Sequence, residues 1–327
     1  MKKVLITTIP FGDKNKLPLD LLEKNGCEYV INPLNKKLTE SELVDLVGDF
    51  DIIIAGTEPI TKKVMDKGKK LKLISRVGIG LDSVDLVAAD RKGIKVSYTP
   101  DVPAPAVAEL TIGLMLSLLR SVHLSNLRMH QGLWNRYFGR RLSEVKIGII
   151  GAGRIGSRVL EHLTGFGKPQ ILVNDQIVKK DLESKYAITW AEKEEIYESC
   201  DIITLHLPLT KLTKNMIRKK HLNKMKHDAI IINTSRGGII NESDLFDVMK
   251  SGHLSGAAID VFEQEPYAGN LRQIENCILT SHMGSMSVDC RTKMEIEATE
   301  EVIRFLKGEP LEGLVPAAEY SVQSEGL

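Results

Sequence analysis

Eleven short runs of apolar and β-branched residues alternate with helix-like segments along almost the whole chain. Such alternation predicts β-α-β units and parallel sheets. Runs such as "IGII" and "AIII" are apolar at every position, as expected of strands that helices cover on both faces. The predicted strands form two series, 4–8, 29–31, 52–55, 73–76 and 95–98, then 146–150, 170–174, 202–205, 229–233, 257–260 and 277–280.

Two long helical patterns separate and close these series. The first, 103–134, has apolar residues at helical spacing and prolines at its start, and the second covers 289–306. We interpret both as crossovers, so that the C-terminal end returns to the first of two doubly wound domains. The last residues, "AAEYSVQSEGL", are predicted to be a tail.

Bulk composition is that of a soluble globular protein with more than one core. The chain has 327 residues, 43% of them hydrophobic and 27% charged, and a net charge of +1. This charge gives no reason to expect nucleic acid or a membrane as a partner, and no apolar stretch reaches the length of a membrane span. Four cysteines without a C-x-x-C pair predict reduced thiols in a cytoplasmic protein, with no disulfide framework and no metal site.

A glycine-rich turn predicts a dinucleotide site. Gly151, Gly153 and Gly156 follow an apolar strand in G-x-G-x-x-G order and open a helix, whose N-terminus attracts a pyrophosphate. The next strand ends in Asp175, nineteen residues after Gly156. An acidic residue there accepts hydrogen bonds from ribose hydroxyls and repels a 2′-phosphate. No arginine follows it directly, so the sequence predicts NAD rather than NADP.

Ionisable residues follow several strands of the second series: His206, Arg236, Glu265 beyond Asp260, and His282. Carboxyl ends of parallel strands share one edge, where ligands bind. Each residue alone is more often structural or solvated. Together, an arginine can hold a 2-oxo acid, a histidine can protonate its carbonyl oxygen, and a carboxylate can orient the histidine. We therefore predict Arg236, His282 and Glu265 as catalytic residues.

At this point the sequence resembles the D-isomer-specific 2-hydroxyacid dehydrogenase family, most closely its phosphoglycerate dehydrogenase group. The resemblance covers nearly the whole chain. It is carried by "RVGIGLDSVDL", "VAELTIGLML", "GLW", "IGIIGAGRIG", "LHLPLT", "INTSRGGIINESDL", "GAAIDVFEQEP" and "LTSHMGS".

The resemblance implies a Rossmann NAD-binding domain, residues 101–286, inserted in a flavodoxin-like substrate domain, residues 1–100 plus 287–327. It implies that Arg236 binds substrate, that His282 is the acid/base and that Glu265 is its partner. The backbone around Val77–Gly80 would bind the substrate carboxylate, and the predicted substrate-binding residues are Arg76, Val77 and Gly78. A homodimer would form through an arm that includes residues 103–145. The predicted cofactor site comprises Gly151, Gly153, Arg154, Ile155, Gly156, Asp175, His206, Pro208, Thr234, Ser235 and Asp260.

The substrate stays open among 2-hydroxy acids. Arg76, Arg136, Arg140 and Arg141 could hold the phosphate of 3-phosphoglycerate or could be solvated charge. Two residues argue against membership of the phosphoglycerate dehydrogenase group. Ala55 stands where some phosphoglycerate enzymes place an arginine, and Tyr98 replaces the family's usual asparagine. Length leads us to expect no C-terminal regulatory domain.

Three alternatives to the oxidation of 3-phosphoglycerate remain. One is reduction of glyoxylate, hydroxypyruvate, D-lactate's 2-oxo acid or a sugar-derived 2-oxo acid. Another is phosphite oxidation, while Glu265 argues against the glutamine-dependent oxidation of formate. The last is a NAD-responsive interaction protein similar to the corepressors that share this fold.

Overall fold

The structure is a computed structural model that describes residues 2–325. The chain divides into two compact units, the first formed by Met1–Pro103 with Met286–Leu327 and the second by Ala104–Ser285. The predicted boundaries, after residues 100 and 286, lie within three residues of these positions. The first unit is therefore discontinuous in sequence.

Short parallel strands form the sheet of the first unit: β1 (Lys3–Ile6), β2 (Glu28–Ile31), β3 (Ile52–Ala55), β4 (Leu73–Arg76) and β5 (Lys95–Ser97). They lie in the order β2-β1-β3-β4-β5, which is the flavodoxin-like order. All residues of β3 and β4 are buried, because helices cover both faces of a doubly wound sheet.

Three of the four connecting helices of this unit begin at side chains that cap them, and α1 has no such side-chain cap. The helices are α1 (Leu17–Lys24), α2 (Glu40–Leu46), α3 (Lys62–Lys67) and α4 (Leu86–Arg91). Thr39 forms a capping box with Glu42 before α2, Thr61 caps α3 and Asp85 caps α4. These side chains accept hydrogen bonds from amide groups that have no partner within the helix.

Parallel strands also form the sheet of the second unit: β6 (Lys146–Ile150), β7 (Gln170–Asn174), β8 (Ile188–Trp190), β9 (Ile202–Leu205), β10 (Ile230–Asn233), β11 (Gly256–Ile259) and β12 (Cys277–Leu279). Their order is β12-β11-β10-β9-β6-β7-β8. This is the Rossmann order with one additional strand, and the order reverses between β6 and β9. The predicted two-domain α/β fold is confirmed.

Helices of the second unit cover this sheet: α5 (Pro103–Leu119), α6 (Val122–His130), α7 (Arg154–Leu163), α8 (Lys180–Lys185), α9 (Lys193–Ser199), α10 (Lys219–Leu222) and α11 (Glu242–Lys250). Helix α5 packs into the core through Ala108, Ile112, Met115 and Leu118. The single helix predicted over 103–134 is wrong, because the chain bends at Ser121, whose φ is 49°. Beyond α6 it continues without helix to residue 141.

The chain then returns to the first unit as α12 (Val288–Lys307) and α13 (Ala317–Glu325). The prediction of a tail after residue 316 is wrong for residues 317–325, and residues 326–327 lie outside the described part. Gln323 explains the difference: its Oε1 accepts a hydrogen bond from Leu86 N at 2.6 Å, and its Nε2 donates to Val84 O at 2.9 Å. These contacts attach α13 to the start of α4.

Within residues 2–325 no single helix is long and apolar enough to cross a membrane, although α5 and α6, bent by 66°, pass that test as a pair. The four cysteines are free and buried. No group of three or more histidine, cysteine, aspartate or glutamate side chains in the described part of the chain could hold a metal ion.

Candidate active site

The predicted site residues of the second unit lie at the carboxyl edge of its sheet. Register aligns the strand ends: Ile150 is beside Leu205, Leu205 beside Asn233, and Asn233 beside Ile259. Residues that follow these strands therefore meet at one edge. The reversal of strand order between β6 and β9 opens a crevice there, the usual ligand site of such sheets.

The glycine turn after β6 has the geometry that a dinucleotide requires. Gly151 has a φ of +98°, and a Cβ there would lie 2.3 Å from the His206 carbonyl oxygen. A Cβ on Gly156 would lie 2.0 Å from the Gly151 oxygen, so this glycine allows α7 to pack closely. A Cβ on Gly153 would meet no described atom within 4 Å. The backbone at the start of α7, where Arg154 and Ile155 begin the helix, is thus accessible to a pyrophosphate.

Asp175 and Lys179 hold this turn from the neighbouring loop. Ala152 N donates to Asp175 Oδ2 at 2.6 Å, and Ile177 N donates to Oδ1 at 3.1 Å. Lys179 Nζ donates to Ala152 O at 2.7 Å. Each carboxylate oxygen has a second lone pair, so Asp175 can still accept from ribose hydroxyls. Sequence reasoning missed Lys179, which places a cation at the same turn as Asp175, the residue predicted to bind the ribose.

His206 is a buried, neutral histidine at the end of β9. Its Nε2 lies 3.0 Å from Thr204 Oγ1, while Nδ1 has no hydrogen-bond partner among residues 2–325. Burial lowers the pKa of His206 to about 3, because a charged imidazolium would lose its hydration. A buried polar atom without a partner beside an accessible glycine turn fits a bound dinucleotide. Pro208 follows and is exposed, and its carbonyl accepts a hydrogen bond from Thr213.

Asn233 organises the loop that carries Arg236. Its Oδ1 accepts hydrogen bonds from the amide and the hydroxyl of Ser235, at 3.1 and 2.8 Å, and its Nδ2 donates to Arg236 O at 2.8 Å. The Arg236 guanidinium donates to Ser235 O at 2.7 Å. The hydroxyls of Thr234 and Thr111 lie 2.9 Å apart, which ties the loop to α5. The loop is therefore fixed by buried polar contacts.

Asp260 holds the loop that carries His282. It is 1% exposed, and its carboxylate accepts hydrogen bonds from the Thr280 hydroxyl and from the amides of Met283 and Gly284, at 2.6 to 2.9 Å. His282 N donates to Asp260 O at 2.8 Å. His282 itself has a φ of 52°, which few residues other than glycine adopt. The bonds to Asp260 maintain this conformation.

His282 and Glu265 form the central pair of the site. The Nδ1 of His282 lies 3.0 Å from both carboxylate oxygens of Glu265, and Oε1 also accepts a hydrogen bond from Phe262 N at 3.2 Å. The side chains are 33% and 18% exposed. Because Nδ1 faces the carboxylate, Nε2 is the nitrogen that can face a substrate.

Gly237 brings the arginine loop against the glutamate loop. A Cβ at this position would lie 2.0 Å from the Phe262 carbonyl carbon and 2.6 Å from Glu263 N, so no side chain fits. This backbone contact, together with the bond from Asp260 N to Asn233 O at 3.0 Å, fixes adjacent loops to each other. Arg236, Glu265 and His282 are thus carried by three loops of one unit that contact one another.

In the first unit, β4 leads into the glycine loop that the sequence predicts to hold a substrate carboxylate. Arg76 is 3% exposed and donates to Gly80 O through Nε and Nη2, at 3.0 and 2.7 Å. Gly78 has a φ of +139° and donates to Thr99 Oγ1 at 2.9 Å. Val77 N donates to Ala55 O at 2.8 Å. Arg76 therefore supports the shape of this loop.

The arginines after Trp134 lie elsewhere. Arg140 donates to Asp201 Oδ1 at 3.0 Å, directly before β9 begins, and Arg141 pairs with Glu144, directly before β6. These positions are at the amino edge of the sheet, opposite the edge that carries His282. The structure therefore does not support the prediction that Arg140 or Arg141 holds a substrate phosphate at the carboxyl edge of this sheet. Arg136 lies in the exposed segment after α6.

Sequence reasoning missed the residues that position the predicted ones. Asn233, Thr280 and Lys179 were not predicted, and neither was strand β8. A usable signal existed for Asn233 and Thr280, because both are polar residues that directly end apolar strands. Lys179 had no such signal, since its contact depends on how the loop after β7 folds back.

Comparison with known proteins gives consistent matches. The profile of the family described as D-isomer specific 2-hydroxyacid dehydrogenase, NAD binding domain, matches residues 112–284. The chain is 37% identical over 320 residues to the D-3-phosphoglycerate dehydrogenase of Methanocaldococcus jannaschii, covering 96% of this chain and 59% of that protein. It is 32% identical to the hydroxypyruvate reductase of Thermotoga maritima, covering 88% and 96%. The crystal structure of the TT0316 protein from Thermus thermophilus matches with a TM-score of 0.87 and 31% identity, covering 96% and 100%.

Proposed function

Because the chain belongs to the D-isomer-specific 2-hydroxyacid dehydrogenases, we propose that it transfers a hydride between NAD and a D-2-hydroxy acid or its 2-oxo acid. The observation that carries this proposal is the bond of His282 Nδ1 to both oxygens of Glu265, at 3.0 Å, in the unit that holds the glycine turn. The chain spans 59% of the length of its phosphoglycerate dehydrogenase relative and 96% of its hydroxypyruvate reductase relative.

His282 supplies the proton in the direction of reduction. Negative charge develops on the substrate carbonyl oxygen, and a proton from Nε2 neutralises it. The hydride would come from NADH when this cofactor is bound. Glu265 fixes the ring through Nδ1 and stabilises the positive charge of the imidazolium before the proton leaves. In the direction of oxidation, neutral His282 accepts the hydroxyl proton through the same nitrogen.

Arg236 binds and polarises the substrate. A guanidinium presents paired donors that match a carboxylate or an adjacent carbonyl oxygen. Asn233 fixes the backbone of Arg236, so the guanidinium extends from a loop that is held in place. Gly151, Gly153 and Gly156 would hold the pyrophosphate of the cofactor, Asp175 the adenosine ribose, and the loops of Thr234 and Asp260 would border the nicotinamide.

The substrate candidates are 3-phosphoglycerate and the smaller acids related to glyoxylate and hydroxypyruvate. Relatives that carry both kinds of name resemble this chain to a similar degree. The corepressor-like alternative has no support among the two curated relatives named above, both of which carry the names of enzymes.

We further propose that the protein is a homodimer. The arm after α5 exposes large apolar side chains, with Phe138 fully exposed, Trp134 75% exposed and Met129 52% exposed. A contiguous apolar surface of this kind is typical of a protein interface. Light scattering should give the mass of two chains, and Phe138→Asp should give one. Leu212→Asp, at a site 60% exposed elsewhere in the same unit, is the control and should leave the mass unchanged.

Buried free thiols and the absence of any predicted disulfide suit a reducing compartment, and we propose a cytoplasmic location. Fractionation of cells that produce the protein would test this. Recovery of the protein outside the cytoplasmic fraction would contradict it.

The experiment that tests the activity is oxidation of NADH by the purified protein with a panel of 2-oxo acids. The panel contains glyoxylate, pyruvate, hydroxypyruvate and 3-phosphohydroxypyruvate, with NADPH as the control cofactor. We expect turnover of at least one acid with NADH. Binding of NADH without turnover of any acid would overturn the proposed function.

A further inference from the structure

A buried carboxylate lies at the carboxyl edge of the first unit's sheet. Glu58, just beyond β3, is 2% exposed. Its Oε1 accepts a hydrogen bond from Gly56 N at 2.8 Å and is in hydrogen-bonding contact with the Thr7 hydroxyl beyond β1. Its Oε2 makes no hydrogen bond to residues 2–325. One oxygen therefore organises two loops, and the other remains available as an acceptor.

Gly56 makes room for this carboxylate. A Cβ at position 56 would lie 2.9 Å from Glu58 Oε2 and 2.9 Å from Thr8 Oγ1. Any side chain there would displace Glu58 or the hydroxyl of Thr8. The glycine and the buried glutamate thus form one local arrangement at the end of β3.

The nearby ionised groups do not neutralise Glu58. Arg291, on α12, donates to Thr8 Oγ1 at 2.9 Å, but its Nε donates to Glu295 Oε1 at 2.7 Å. Glu295 is 3% exposed and also accepts from Gly12 N at 2.9 Å. Arg291 and Glu295 offset each other, and Glu58 forms no ion pair within the described residues. Within this cluster of Glu58, Arg291 and Glu295, the only ion pair among the described residues is therefore the one between Arg291 and Glu295.

This cluster lies at the same edge of the sheet as the predicted substrate loop. Ala55 of β3 is in register with Arg76 of β4, directly before the loop of residues 77–80. Glu58 contacts Thr7 beyond β1, on the other side of β3, so about two strand spacings, roughly 10 Å, separate its carboxylate from that loop. A three-carbon acid with a hydrogen bond at each end can span such a gap. On the opposite side, towards β5, Gly78 exchanges hydrogen bonds with Thr99. The side towards β3 and Glu58 is the one that can receive the far end of a substrate.

We propose that Glu58 selects 2-oxo acids whose distal group is an uncharged hydrogen-bond donor, such as the hydroxyl of hydroxypyruvate, and rejects acids with a distal phosphate or carboxylate. The free Oε2 would accept the hydroxyl proton, whereas a second anion beside a buried carboxylate is repelled. This inference rests on the proposed function. It separates this chain from enzymes that have an arginine at the position of Ala55.

The test compares two substrates that differ only in the distal group. The kcat/KM for hydroxypyruvate and for 3-phosphohydroxypyruvate would be measured with NADH for the wild type and for Glu58→Gln. We expect the wild type to favour hydroxypyruvate by at least about tenfold, and Glu58→Gln to reduce this ratio by about tenfold, because glutamine keeps the acceptor for Gly56 and loses the charge. Unchanged thermal stability and NADH affinity would show that the variant is folded.

Glu28→Gln is the matched control, since it removes the same charge from an exposed position at the amino edge of the same sheet. It should leave the ratio unchanged. If the wild type favours the phosphorylated acid, the inference about Glu58 is wrong while the proposed function stands. This measurement needs only the wild type, so it tests the inference even if Glu58→Gln does not fold. A ratio that Glu58→Gln leaves unaltered would overturn it as well. No turnover of any 2-oxo acid would overturn the proposed function and this inference with it.

Discussion

The two parallel sheets are built alike, but their carboxyl edges assemble polar residues in different ways. In the second unit each predicted side chain stands a few residues beyond a strand, as His206 does after β9 and Arg236 after β10. In the first unit, Thr8 contacts Arg291, which is 283 positions away in the chain. The polar residues at the edge of the second unit can be recognised from local sequence motifs. Those at the edge of the first unit come together only when α12 packs against that unit.

This difference suggests a division of roles. The edge of the second unit holds the imidazole of His282, the guanidinium of Arg236 and the glycine turn, which under the proposed function would act on the part that all 2-oxo acids share. The edge of the first unit holds Glu58 and the loop of residues 77–80, and Glu58 would act on the distal group in which the substrates differ. Changes at one edge should alter the rate for every acid equally, and changes at the other should alter preference or the stability of that unit.

The largest expected effect is that of His282→Ala. Loss of a general acid typically lowers turnover by about 10²–10⁴-fold. Because His282 acts on the shared carbonyl, kcat should fall by the same factor for hydroxypyruvate and glyoxylate, and NADH binding should persist. His227→Ala, at an exposed histidine of the same unit, is the control. Turnover within a few-fold of wild type would remove His282 from the mechanism.

Arg291→Met should strongly destabilise the first unit. Glu295, whose side chain is 4% exposed, would lose its cation, and removing one partner of a buried pair costs about 3–5 kcal/mol. Arg128→Met breaks a pair in the second unit whose glutamate, Glu275, is 55% exposed, and should lower the free energy of unfolding far less, because solvent screens this pair. Urea unfolding monitored for each variant would measure both. Equal losses would show that burial does not distinguish the two pairs.

Glu265→Gln should lower kcat by about tenfold or more while leaving substrate preference intact. The amide can still orient the ring, but it does not stabilise the positive charge of the imidazolium. The alkaline limb of the pH–rate profile for reduction should therefore move to lower pH. Glu263→Gln, two residues away on the same loop, is the control. An unaltered profile would leave Glu265 with a purely structural role.

Asp175→Ala should change cofactor preference without affecting the choice of acid. Removing the carboxylate abolishes its repulsion of a 2′-phosphate, and Lys179, which contacts Ala152 O at 2.7 Å, leaves a cation at this position. We expect the NADH to NADPH ratio of kcat/KM to fall by about tenfold or more. Lys179→Met added to Asp175→Ala should reverse the gain with NADPH. A ratio unchanged in Asp175→Ala would contradict the ribose assignment.

Most of the fold could be predicted from the sequence because its strands are continuous apolar runs and its glycine turn has a fixed local context. The strand β8 was missed because Ile188–Trp190 is short and only partly buried. The bend at Ser121 and the docking of α13 were also missed. The docking of α13 depends on a tertiary contact, that of Gln323 with Leu86, and the bend depends on the left-handed conformation of Ser121. Local periodicity reveals neither of them.

The candidate site divides in the same way. Arg236, Glu265 and His282 follow strand ends and could be selected from the sequence. Asn233 and Asp260 hold the loops that carry them, and these roles depend on side-chain hydrogen bonds across loops. The Glu58 cluster was invisible, because its charge balance requires knowing which carboxylate Arg291 pairs with.

The last expected effect concerns stability at low pH, and it distinguishes the two units because they differ in histidine content. All eight histidines lie in the second unit. Burial lowers the pKa of His206 from 6.5 to about 3, so between these values the unfolded chain binds a proton that the folded chain does not. Stability therefore falls as the pH falls through this window, by up to about 1.4 kcal/mol per pH unit.

His206→Gln should remove this loss while keeping a polar group near Thr204. Hydrogen exchange at pH 7 and pH 5 would measure it, with peptides from each unit followed separately. In the wild type, protection of the second unit should decrease more than that of the first, which has no histidine to titrate in this range. In His206→Gln the decrease in the second unit should shrink. An equal decrease in both units of the wild type would show that carboxylates, rather than His206, set the acid response, since they are present in both.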